Sequence, residues 1–133
     1  MRMSDIGLAG RATVLVCITC RAATDPTDVP RAGVALADAT TLAAASASGI
    51  SVERIRCLGN CNRGLSAAIR SENTWSYVFG GLEPLRDGPS LVIGAQLLAQ
   101  AVDGIMPWRG RPDSLKRGLI ARVPPINFRE ELP

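Results

Sequence analysis

The segment Ala12 to Cys17 reads A-T-V-L-V-C, a short apolar run rich in β-branched residues, which predicts a buried strand. A polar stretch with turn residues follows from Thr24 to Pro30. From Arg31 to Ser48 the period changes. Ala35, Leu36, Ala39, Leu42 and Ala43 gather on one helical face, and Gly49 stands where a helix-ending glycine belongs. Val52 to Arg56 alternates apolar and charged side chains and predicts a second strand. Ser66–Arg70 and Thr74–Phe79 predict a hairpin turning at Ser71-Glu72-Asn73 and ended by Gly80-Gly81. Trp75, Tyr77 and Phe79 alternate with smaller residues and so share one face of the fourth strand, where packing is their simplest role. Ser90 can cap a second helix from Leu91 to Val102, with Leu91, Ala95, Leu98 and Val102 on one face and Gly104 as its stop. Gly94 inside it costs about 1 kcal/mol of helix propensity. Residues 105–133 show no clear period and predict a tail, with one turn of helix near Pro112–Arg117 and Pro107-Trp108 as an anchor.

The order is strand, helix, strand, strand, strand, helix, tail. A β-α-β unit followed by a β-β-α unit is the order of a thioredoxin-like domain. The expected fold class is therefore α/β: a four-stranded mixed sheet with two helices over residues 1–104, and a proline- and arginine-rich C-terminal extension over 105–133. A chain of 133 residues suits one domain, large enough to fold without disulfide staples. Aromatics make up 4%, so Ala, Val, Leu and Ile must build most of the core. The net charge of +3 is too mild to argue for nucleic-acid binding. The most apolar stretch, Leu91–Val102, is too short to span a bilayer, and Met1–Gly10 has no signal-peptide pattern. A cytoplasmic protein that binds no membrane is expected.

Histidine is absent, which excludes Ser-His-Asp and Cys-His nucleophiles, His-containing zinc sites and histidine acid–base steps. Four cysteines remain, in two pairs, Cys17-x2-Cys20 and Cys57-x3-Cys61, each directly after a predicted strand. If those two strands are parallel neighbours joined by the helical crossover, the pairs meet at one edge of the sheet. Four thiolates gathered there would repel one another without a metal or oxidation. A four-cysteine zinc site, a thioredoxin-type dithiol, two unrelated structural pairs and a [2Fe–2S] cluster all compete at this point. The cluster uses two thiolates per iron and tolerates unequal spacing, whereas zinc ligands usually sit on tight C-x2-C knuckles.

Cys57-Leu58-Gly59-Asn60-Cys61, followed by Asn62-Arg63-Gly64 and an apolar strand, resembles the second cysteine loop of thioredoxin-like [2Fe–2S] ferredoxins. The resemblance spans residues 13–102 in element order. This chain differs from the family pattern in its shorter first pair and in lacking a proline after the fourth cysteine. The whole chain also resembles a small bacterial family of predicted metal-binding proteins. Its recurring pieces match Cys17–Arg21, Cys57–Cys61, Trp75–Gly80, Asp103–Trp108 and Arg111-Pro112. Members are often encoded near cobalamin-biosynthesis genes, which implies a reductive step in that pathway.

The resemblance implies a one-electron carrier, not an enzyme, with a single [2Fe–2S] cluster on Cys17, Cys20, Cys57 and Cys61. The alternative is a zinc-stabilised binding or assembly protein with the same four ligands. Gly59 and Gly64 would free backbone N–H groups to point at the sulfurs. Arg21, Arg56 and Arg63 would offset the cluster's negative charge or meet an acidic docking surface on a redox partner. A homodimer is left open, and Asp103 is most simply a helix-end residue.

Overall fold

The computed structural model describes residues 10–19 and 31–133, with the backbone alone at Cys61. The N-terminal segment, the polar stretch 24–30, Cys20 and Arg21 lie outside the described residues. Strand β1 (Ala12–Cys17) and strand β2 (Ile50–Ile55) pair in parallel, with Ala12 opposite Ile50 and Cys17 opposite Ile55. Helix α1 (Ala32–Ala44) is the crossover between them. Strands β3 (Leu65–Arg70), β4 (Ser76–Leu82) and β5 (Leu119–Val123) then add antiparallel, giving the order β2-β1-β3-β4-β5. Helix α2 (Asp87–Ala99) packs on α1, and both touch β1, so the two helices cover one face. A short helix α3 (Asp113–Arg117) precedes β5. The sheet is thus five-stranded with three helices among the described residues, where four strands and two helices are expected from sequence.

The central strands supply the core because they are paired on both sides. Val14, Val16, Ile69, Ala67 and Phe79 have no exposed surface, and Leu36, Leu91 and Leu98 close over them from the helices. Each buried leucine contributes roughly 2–3 kcal/mol by leaving water. The buried stripe of α1 is Gly33, Leu36, Ala37 and Thr40, not the face containing Leu42, which is exposed. Thr40 is tolerated inside because its hydroxyl donates to the Leu36 carbonyl at 2.6 Å, returning the bond that burial removes. Gly88 explains the close contact of α2 with α1. A Cβ there would come within 2.7 Å of the Ala39 carbonyl carbon.

Boundaries differ where tertiary contacts outweigh local signals. Helix α2 begins before Ser90, with Pro89 in its first turn where no N–H is needed, and ends at Ala99, leaving Val102 exposed. Helix α1 likewise stops at Ala44 rather than Ser48. Gly80-Gly81 does not end β4. The strand runs through both to Leu82, with Gly81 at φ +66° and Gly80 donating to the Gly118 carbonyl at 2.8 Å.

Residues 105–128 are held by an unusual lock. Arg111 is buried, and its guanidinium donates to the carbonyls of Met106 at 2.5 Å and Pro107 at 3.3 Å. It lies 5.6 Å from the Tyr77 ring centroid and 5.1 Å from that of Trp108, which Lys116 also approaches at 5.0 Å. The Tyr77 hydroxyl accepts the Met106 N–H at 2.9 Å. Burial pushes the Arg111 guanidinium below its ordinary value, yet arginine keeps its charge in proteins. Trp75 lies outside β4 and packs edge-on against Phe128 at 5.7 Å, with Arg122 over its ring at 4.3 Å. Tyr77 and Phe79 do share a face and stack at 6.3 Å.

Candidate metal centre

The parallel register brings both cysteine loops to one end of the sheet. Strand β1 ends at Cys17 and β2 ends at Ile55 opposite it, two residues before Cys57. The ladder continues one step further, with the Ile18 N–H donating to the Ile55 carbonyl at 2.9 Å. Cys17 is buried, and its Sγ lies 3.4 Å from the Arg56 carbonyl and 3.6 Å from the Thr19 hydroxyl. The Thr19 hydroxyl donates to the same Arg56 carbonyl, and Arg31 donates to the Thr19 carbonyl at 2.8 Å. The start of the first loop is therefore pinned onto the start of the second.

The second loop is open. Cys57 is exposed, and the Gly59 N–H donates to its Sγ at 3.2 Å. Gly59 adopts φ +75°, which an L side chain rarely takes, and a Cβ there would meet nothing within 4 Å. Glycine is thus needed at this position for conformation and not for space. Leu58 turns inward and packs against the core, anchoring the loop between the two exposed positions. A single 3-10 turn follows from Cys61 to Arg63, closed by the Arg63 N–H donating to the Asn60 carbonyl at 3.1 Å. Gly64, at φ +78°, turns the chain into β3. Asn60 donates through its amide to Ser66 Oγ at 3.0 Å, and that hydroxyl donates to the Gly64 carbonyl at 3.2 Å. Sequence reasoning did not single out Asn60, Ser66 or Thr19, although small polar residues beside turn glycines are a usual sign of loop bracing.

Arg56 and Arg63 are exposed beside the loop, and neither cysteine segment contains an acidic residue. Among the described residues no three His, Cys, Asp or Glu side chains cluster; of the cysteine side chains, these include Cys17 and Cys57. The donor chemistry, a sulfur at the end of β1 and another just after the end of β2, with an N–H directed at one of them and cations alongside, suits a thiolate-ligated metal.

The family model for "Protein of unknown function (DUF1636)" matches residues 14–125, from β1 to just past β5, and so includes all four cysteines. The chain belongs to this family. Among curated proteins none matches. Among solved structures it is similar to a thioredoxin-like [2Fe–2S] ferredoxin from Aquifex aeolicus, at 16% identity and a TM-score of 0.56, over 90% of this chain and 100% of that one. At that identity the likeness establishes the fold, and the expected thioredoxin-like architecture is met. No helix of the described residues is long and apolar enough to cross a membrane.

Proposed function

We propose that Cys17, Cys20, Cys57 and Cys61 hold one [2Fe–2S] cluster and that the protein carries single electrons without itself catalysing bond chemistry. The observation that carries this reading is the parallel pairing of Cys17 with Ile55, which sets Cys17 beside the strand end that leads into Cys57. The similar ferredoxin structure supports it at the level of the fold. When bound, such a group supplies one reversible electron at a potential set by hydrogen bonds to sulfur, charge and exposure. This chain's residues act on each of those factors. Gly59 donates to Cys57 Sγ, and Arg56 and Arg63 beside the loop would offset the negative charge of such a group. The open Cys57–Gly64 loop gives a partner close approach, and its basic neighbours suit an acidic docking surface. A reductive step in cobalamin metabolism is the proposed destination of the electron.

Protein purified without oxygen tests the reading. A red-brown solution with two irons and two labile sulfides per chain, bleached on reduction, is expected. A colourless protein with one zinc per chain overturns it in favour of a zinc-stabilised assembly protein.

A further inference from the structure

Beside the cysteine loop, but separate from the cysteines, a cavity of about 190 Å³ opens between β4, the start of α2 and α3. Its walls come from three parts of the chain. Arg63 leaves the 3-10 turn, Arg86 precedes α2, and Arg117 ends α3. Gly118 presses α3 onto β4 so closely that a Cβ there would lie 2.6 Å from the Gly80 carbonyl oxygen. Half-buried Ser114 lines the cavity, and its Oγ is out of contact with water and has no hydrogen-bond partner among the described residues. An orphaned buried hydroxyl costs about 1–3 kcal/mol unless something else receives its proton.

The charges in the wall are unequal. Three arginines face two carboxylates: Glu83 pairs with Arg86 at 2.8 Å, and Asp87 accepts the Glu83 N–H at 2.8 Å and keeps its charge. Arg63 and Arg117 make no ion pair among the described residues. The cavity is smaller than the roughly 300–1,000 Å³ of pockets for drug-sized ligands. It therefore sizes its occupant to a small group. Arg63 after the cysteine loop, Arg117 at the end of α3 and Ser114 line it from separate parts of the chain, a donor set whose chemistry suits an oxyanion.

We propose that this cavity binds a phosphate group, free or as a phosphomonoester, on Arg63, Arg117 and Ser114. The site does not depend on what the cysteines hold. Calorimetric titration of the full chain with inorganic phosphate, and separately with AMP, at matched ionic strength tests it. Saturable one-site binding is expected. Phosphate alone binding assigns a free anion, and tighter AMP binding assigns a phosphomonoester. Arg117→Gln and Ser114→Ala should each weaken binding about tenfold. Arg70→Gln, at the opposite end of β3, should leave it unchanged. Near-ultraviolet circular dichroism identifies any variant that has lost its fold, and broadening of the phosphate 31P resonance gives a second reading on Ser114→Ala, the smallest change. Absence of saturable binding, binding as tight as the unmodified chain's in both cavity variants, or an equal loss in Arg70→Gln overturns the proposal.

Discussion

The cysteine end of the sheet and the Arg111 lock illustrate two ways of ordering an irregular chain. At the cysteine end the described polar contacts run mostly to backbone: Thr19 and Cys17 to the Arg56 carbonyl, and Gly59 to a cysteine sulfur. Most side chains there face solvent, and Leu58 is the main apolar anchor. At the lock a cation is buried without a carboxylate partner among the described residues, held by two carbonyls and two aromatic faces. The first arrangement leaves a surface that a partner can reach at low local stability. The second fixes the C-terminal segment, at the cost of leaving buried groups exposed to loss if its single cation goes. Stability should therefore be concentrated at the lock, and accessibility at the cysteines.

Removing the cation should produce the largest effect. Arg111→Ala leaves the Met106 and Pro107 carbonyls without their donor and strips the Tyr77 and Trp108 rings of a partner. Urea unfolding should show a loss of about 3 kcal/mol. By contrast, Arg31→Ala at the cysteine end, where the side chain reaches one exposed carbonyl, should cost about 0.5 kcal/mol. Near-equal losses from the two would remove the proposed contrast.

Gly94→Ala is the next test, because helix propensity and packing oppose each other there. Alanine should stabilise an isolated helix by about 1 kcal/mol. In the fold its Cβ would overlap the Leu115 side chain and come within 3.1 Å of Ile69 Cδ1. Overpacking of about 1–3 kcal/mol should win, giving a net loss near 1 kcal/mol by thermal or urea unfolding. A more stable variant would mean that α3 yields easily.

At the open end, Gly59→Ala meets no neighbour and should cost about 1 kcal/mol through its positive φ alone, with Gly59→Asn costing less. Equal stabilities for alanine and asparagine would place the cost elsewhere. Removing the proposed metal takes away binding free energy that only the folded state gains, and its local effect should centre on the cysteine loops. Hydrogen exchange should then rise across residues 57–64 and stay constant across β5. Uniform deprotection of both regions would show that the metal supports the whole fold.

These contrasts also mark what sequence could and could not reveal. Strand β1 is legible because A-T-V-L-V-C is a short apolar, β-branched run whose alternate residues Ala12, Val14 and Val16 are buried. The placement of Cys17 beside the strand end that leads into Cys57 is legible because a parallel crossover permits few geometries. The stripe of α1 is not, because Thr40 becomes a core residue through one bond to Leu36 that no periodicity records. Helix α3 (Asp113–Arg117) meets the single helical turn expected near Pro112–Arg117, whereas β5 rests on contacts no local period records, such as Gly80 donating to the Gly118 carbonyl. Local pattern therefore described the elements that carry the cysteines better than the segment that braces them.

The central claim is that four cysteines from two loops act as one centre, although Cys17 is buried and Cys57 is exposed. Iron content of the four single Cys→Ser variants, purified without oxygen and compared at equal folded fraction, tests this most directly. The account predicts that Cys17→Ser, Cys20→Ser, Cys57→Ser and Cys61→Ser each lose iron or shift the visible bands. Full iron content and an unchanged spectrum in both Cys17→Ser and Cys61→Ser would contradict it.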